Sequence, residues 1–227
     1  MTIPVDVYLE IGKTKTFACA VDWPGWCRSG SDEEAALEAL LAYGPRYAAV
    51  LEGTGIEFEA PRDASALRVV ERLEGNATTD FGAPAIVRDS DAGPVDDAEL
   101  ARLVALLRAY WQAFDATRNA AAGEELRKGP RGGGRDLAKI ENHVMEAEAG
   151  YLRSLGWKMG KGEAQNREGE LRRTREAVLE ALPVAARGEL PTHGPRGGTR
   201  WPLRYFVRRT GWHVLDHVWE IKDRVNH

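Results

Sequence analysis

The chain has 227 residues, 43% of them hydrophobic and 29% charged, with a formal net charge of −4. That length holds one large domain or two small ones, and the mild acidity gives no support for general nucleic-acid binding, which shows as a basic surplus. No stretch approaches the roughly 18 apolar residues of a membrane span. Residues 1–10 lack the basic and apolar regions of a signal peptide, and two cysteines make no disulfide framework, so a soluble cytoplasmic protein is expected.

The first third alternates as strands do. Val5, Val7 and Leu9 form one run and Phe17, Cys19 and Val21 another, with a hairpin turn expected at Lys13-Thr14. Pro24-Gly25 breaks the second run. Ser31 or Asp32 then caps a helix to about Glu52, with Ala36, Leu37, Leu40, Leu41 and Ala48 as its apolar stripe. Further short strands are expected at 56–59 and 67–73. The polar stretch 88–96, holding Gly93 and Pro94, reads as a linker. The expected division is an α+β domain at 1–88, a linker at 89–95 and an all-α domain at 96–227.

Beyond the linker the apolar period is helical. Asp96 or Asp97 opens a helix to about Ala122 through Leu103, Leu107 and Trp111. A second spans about 136–155, a third about 168–186 and a fourth about 204–225. Four amphipathic helices of similar length predict a four-helix bundle, a fold that builds metal sites from facing helices.

His213 and His217 stand four apart on the last helix, and side chains at that spacing leave one face. Beside them run Val214, Val218 and Ile221, so the pair lies at the edge of the buried side. His143, next to Ile140, Val144 and Ala147 on the second helix, occupies a similar position. Small residues follow it at Ala147 and Gly150, leaving room for a ligand. Together the three are a candidate three-His metal site with an open position. Glu146, Asp216 and Glu220 are the nearest carboxylates in sequence, for use as base or as partners of the imidazole N–H groups. The other histidines, His193 and His227, lie in a loop and at the terminus. The alternative is an exposed polar pair or packed rings.

A short echo precedes two of the helices. Residues 129–135 read Gly-Pro-Arg-Gly-Gly-Gly-Arg and 194–200 read Gly-Pro-Arg-Gly-Gly-Thr-Arg. Arg131, Arg135, Arg196 and Arg200 are candidates for binding an anionic substrate or thiol cofactor, since the guanidinium fork suits carboxylate and phosphate. The alternative is ordinary loop composition. An up–down–up–down bundle would bring both loops to one pocket mouth, and a crossover between the second and third helices would separate them.

Residues 212–224, taken with 142–148, resemble the DinB/YfiT-like superfamily of four-helix metalloproteins, over about residues 96–227. The resemblance implies a divalent metal on one His of the second helix and a His-x-x-x-His of the fourth, here His143, His213 and His217. It implies zinc first, with nickel, manganese or iron also compatible. It also implies an up–down–down–up order, for which residues 156–169 are long enough to cross. Relatives include transferases and isomerases that use a low-molecular-weight thiol. A thiol-dependent transferase or isomerase acting on a small molecule follows as one expectation, and metal-assisted hydrolysis as another.

Residues 5–52 resemble the HicB-like fold of antitoxins, on Asp22-Trp-Pro-Gly-Trp-Cys27 and the helix start Gly30-Ser-Asp-Glu-Glu-Ala-Ala36. That resemblance implies a small antiparallel sheet with one helix, and a protein partner. Trp23 and Trp26 mark either a partner surface or packing on the sheet. The competing expectation is thus an antitoxin or partner-binding protein whose helical part is not catalytic. A homodimer is compatible with both. Cys19 and Cys27 fit strand packing better than catalysis.

Overall fold

A computed structural model describes residues 4–128, 134–160, 166–195 and 197–225. It is α+β, a four-stranded sheet with an N-terminal helix followed by further helices, six α-helices in all among the described residues. The contacts divide the chain into two units, Met1–Ser90 with Val207–Trp212, and Asp91–Phe206 with His213–His227.

In the first unit, β1 (Val5–Ile11) and β2 (Thr16–Ala20) pair antiparallel through the expected hairpin, and β2 pairs antiparallel with β3 (Cys27–Gly30). Helix α1 (Glu33–Leu51), capped by Asp32, then carries the chain across to β4 (Leu67–Glu74), giving the order β3-β2-β1-β4. A crossover helix returns the chain in its original direction, so β4 runs parallel to β1. The sheet is therefore mixed and not the antiparallel one expected. Residues 56–59 join no strand, although their burial alternates as a strand's would.

Alternation on β1 buries both faces. On one, Tyr8, Phe17, Cys19 and Cys27 cluster with Ala83 and Trp212. On the other side Leu9 lies opposite Ala18, and α1 covers the sheet with Ala36, Leu40 and Tyr47. The fully buried Trp26 donates its indole N–H to the Leu40 carbonyl at 3.0 Å, so this tryptophan is packing. Gly30 permits the tight entry into α1, because a Cβ there would sit 2.4 Å from the Ala35 carbonyl carbon and the Ala36 nitrogen. Buried Glu10 ties down the following chain by accepting from the Thr79 hydroxyl and the Ala85 and Ile86 amides. A short helix α2 (Ala77–Phe81), not foreseen from sequence, carries Thr79.

Cys19 and Cys27 face each other across β2 and β3 and are joined as a disulfide. Closing so short a loop removes little unfolded-chain entropy, and replacing both by alanine is expected to cost about 2 kcal/mol. Denaturant unfolding of the double variant checks this.

The second unit holds α3 (Asp97–Ala120), α4 (Leu137–Leu155), α5 (Arg167–Ala186) and, apart from Val207–Trp212, α6 (Leu203–Arg224), with Asp96, Asp136 and Asn166 capping the first three. Their directions follow from which ends meet. Trp111 and Arg118 of α3 reach Glu148 and Glu141 of α4, so these two are antiparallel. Arg167 at the start of α5 bonds Glu141 and Asn142 near the start of α4, so α4 and α5 are parallel. The Trp201 amide donates to the Ser154 carbonyl while His213 meets His143, which makes α6 antiparallel to α4. The order is up–down–down–up. The stretch expected as a linker holds a 3-10 turn, Asp89–Ala92, and the carbonyls of Gly93 and Pro94 accept from Arg204. No helix among the described residues is long and apolar enough to cross a membrane.

Candidate metal centre

The site is built on two helices with strongly buried faces. Ile140, Val144, Leu152 and Leu155 fix the rotation of α4, which leaves His143 half-buried beside that stripe. Helix α6 is buried almost all round from Thr210 to Trp219, and His213 and His217 are each only 6% exposed. Their four-residue spacing sends both imidazoles toward His143.

One nitrogen from each of the three rings can be chosen so that all lie within 4.8 Å of one another. The Nε2 atoms of His143 and His213 are 3.1 Å apart. Ring centroids are separated by 4.9, 5.0 and 4.7 Å around the triangle. Two nitrogens held about 2.0–2.1 Å from a tetrahedral ion stand roughly 3.4 Å apart, so the His143–His213 pair is near the spacing of two ligands of one ion, and the three rings together are positioned where they could hold a metal ion. Two ring lone pairs this close need either a shared proton or a cation between them. Burial, then the positive charges of Arg135 and His217, lower the pKa of His143 against the opposing pull of Glu146 and Glu220, favouring the neutral imidazole that binds metals.

Glu220 supplies the outer layer. Its Oε2 accepts from His217 Nδ1 at 2.7 Å, which places the proton on Nδ1 and leaves the Nε2 lone pair for the cluster. Burial raises the Glu220 pKa, but the hydrogen bonds and charges of His217 and Arg224 outweigh it, and the net shift is downward. Arg224 bonds the other carboxylate oxygen through Nη1, and donates at 2.8 Å to the carbonyls of Arg127 and Arg135. It thereby pins the chain leading into α4 to the end of α6. This clamp was missed in the sequence, although Glu220 and Arg224 form a favourable i,i+4 helix pair.

The remaining expectations separate. Glu146 is exposed on α4 and acts on His143 only through space, while Asp216 is half-buried beside His217. A Cβ built on Gly150 would meet only the Arg153 guanidinium, at 3.7 Å, so the expected room is present there. Arg135 lies at the N-terminal end of α4. Arg200 donates to the Arg153 carbonyl at the other end, roughly 28 Å away along a helix of 19 residues. Arg135 and Arg200 therefore frame no common mouth, and Arg200 is removed from the cluster. Arg131 and Arg196 lie outside the described residues, as does His227. His193 is exposed, bonded to Thr192. The aromatic wall beside His213 was also unforeseen: Tyr151 stands edge-on to it at 5.6 Å, Trp201 lies 5.1 Å from Tyr151, and Tyr205 lies 4.9 Å from Trp201. No family model matches the chain, and no curated protein or solved structure matches it.

Proposed function

We propose that the second unit is a four-helix bundle of the DinB/YfiT kind that holds one divalent metal, zinc first, on His143, His213 and His217, and that it carries out a metal-dependent reaction on a small molecule. The observation that carries this is the convergence of three imidazoles from two helices within 4.8 Å. Structural zinc sites usually close with four protein ligands, so three ligands favour a site with a position left for substrate. A metal bound there would lower the pKa of a water or thiol enough to make a nucleophile near neutral pH, serving hydrolysis or thiol transfer.

The protein's own groups divide the remaining work. Glu220 has both oxygens engaged, by His217 and by Arg224, so it orients a ligand and is poorly free to act as base. Glu146, exposed beside His143, is the better candidate for moving a proton. Arg135 adds positive charge on the same side, suited to an anionic group of a substrate or thiol cofactor. Tyr151 and Trp201 offer an apolar face to the rest of it.

Elemental analysis of the purified protein is expected to find about one divalent ion per chain, lost in His213→Ala/His217→Ala. A protein that neither retains nor takes up zinc, nickel, manganese or iron would overturn the proposal. A cytoplasmic setting belongs to the same proposal, and the Cys19–Cys27 bond argues against it because reducing compartments keep thiols apart. Alkylation of the protein in freshly quenched cells decides the matter, by whether two thiols or none are labelled. The first unit we assign to partner binding, as the HicB-like resemblance implies.

A further inference from the structure

The first unit has an open groove of about 1270 Å³, lined by the end of α1, the chain 52–60 that follows it, Asp22-Trp23 and the start of β1. It is larger than the roughly 300–1,000 Å³ of a small-molecule pocket. Its floor is mainly apolar, with Trp23 and Phe58 packed edge-to-face at 4.7 Å. Four of its lining residues, Asp22, Glu52, Glu57 and Glu59, are acidic, and among the described residues none that lines it is Lys, Arg or His.

Residues 56–60 alternate between half-buried and exposed, with Phe58 turned inward and Glu57 and Glu59 outward. They join no strand, and among the described residues the backbone groups of 57–60 have no hydrogen-bond partner. A stretch with strand-like alternation, whose backbone is unpaired among the described residues, offers the donors and acceptors that another extended chain can pair with. A chain lying there would meet apolar surface on one side and carboxylates on the other.

We propose that this groove binds an extended segment of a partner protein in which lysine or arginine alternates with apolar side chains. The cations would pair with Glu52, Glu57 and Glu59, and an apolar anchor would rest on Trp23 and Phe58. Charge complementarity selects the occupant, because among the described residues no lining side chain offers a positive charge to an acidic segment.

The test uses the full chain and three synthetic ten-residue peptides of one apolar pattern, with lysine, serine or glutamate at the alternate positions. Binding is read by tryptophan fluorescence and calorimetry. The lysine peptide is expected to bind saturably and more weakly as salt rises, and the serine and glutamate peptides at least tenfold more weakly. Glu57→Gln/Glu59→Gln, both exposed positions, is expected to weaken the lysine peptide roughly tenfold with an unchanged melting temperature. Trp23→Ala is expected to weaken it as well. The proposal is overturned if the lysine peptide does not bind, if the three peptides bind alike, if the glutamine variant binds normally, or if spermine, which has no apolar side chains, displaces the peptide at equal charge concentration.

Discussion

Replacing Arg175 by methionine is expected to destabilise the protein by about 3–5 kcal/mol at pH 7, lowering the melting temperature by roughly 10 °C for a chain of this size. Arg175 of α5 is 9% exposed and Glu148 of α4 is 1% exposed. The guanidinium bonds Asp115 at 2.8 Å and holds its Nε 3.7 Å from Glu148 Oε2. The other oxygen of Glu148 accepts from the Trp111 indole N–H at 2.5 Å. Arg175 also lies over the Trp111 ring at 5.5 Å, so methionine keeps much of the packing and removes the charge. What is left is a carboxylate with no cation beside it, and that is costly in the interior.

Glu148→Gln is expected to behave oppositely, near neutral or mildly stabilising at pH 7, because Arg175 keeps Asp115. Burial raises the Glu148 pKa to about 6 from 4.5, against the opposing pull of Arg175 and of the Trp111 hydrogen bond. The folded protein therefore holds this proton more tightly than the unfolded chain does. Stability from this group is fully present below about pH 4.5 and is lost as pH rises through about 6, a change of about 2 kcal/mol. Thermal melts of wild type and Glu148→Gln from pH 4 to 7 should differ by that slope. Parallel curves, or equal damage from the two substitutions, would show that the pair is solvated and not buried.

The long helices were legible because each carries an apolar period and most open on a side chain able to cap them; α6 opens at Pro202 with no side-chain cap and was legible by its period alone. Asp32, Asp96 and Asp136 mark the helix starts to within a residue. Strand β3 was not legible. Cys27-Arg-Ser-Gly30 has no apolar alternation, and its strand conformation comes from pairing with β2 and from the close approach that Gly30 allows at α1. Residues 56–59 show the converse, since their alternation is real but local pattern cannot supply a pairing partner. Of the three histidines, His213 and His217 declare themselves by spacing. His143 joins them only through the antiparallel packing of α4 on α6, across 70 residues of sequence. The Glu148 network left no trace in the sequence, because a glutamate in Met-Glu-Ala-Glu-Ala-Gly looks like any solvated helix residue. Only the depth at which α3, α4 and α5 meet makes it a buried charge.

Glu220→Gln is expected to lower zinc affinity by about 10- to 100-fold while leaving the metal-free melting temperature nearly unchanged. The carboxylate accepts from His217 on one oxygen and from Arg224 on the other, two donors facing one anion. An amide in its place has a single acceptor oxygen, so either His217 or Arg224 must meet an N–H group. If His217 loses its acceptor, its ring is no longer held in the Nδ1–H tautomer with Nε2 directed at the cluster, and its basicity falls. Arg224→Lys should lower affinity less, since lysine keeps the charge but loses the fork that binds the Arg127 and Arg135 carbonyls along with Glu220. Glu146→Gln, exposed and bound to none of the rings, is expected to change affinity by no more than about twofold. Chelator competition on the three variants reads all of this, with the visible spectrum of the cobalt-loaded protein as a check that the ligand set is the same. Equal affinities for wild type and Glu220→Gln would mean that His217 is oriented by helix packing alone, and the Glu220–Arg224 clamp would then be a helix-end contact with no part in the site.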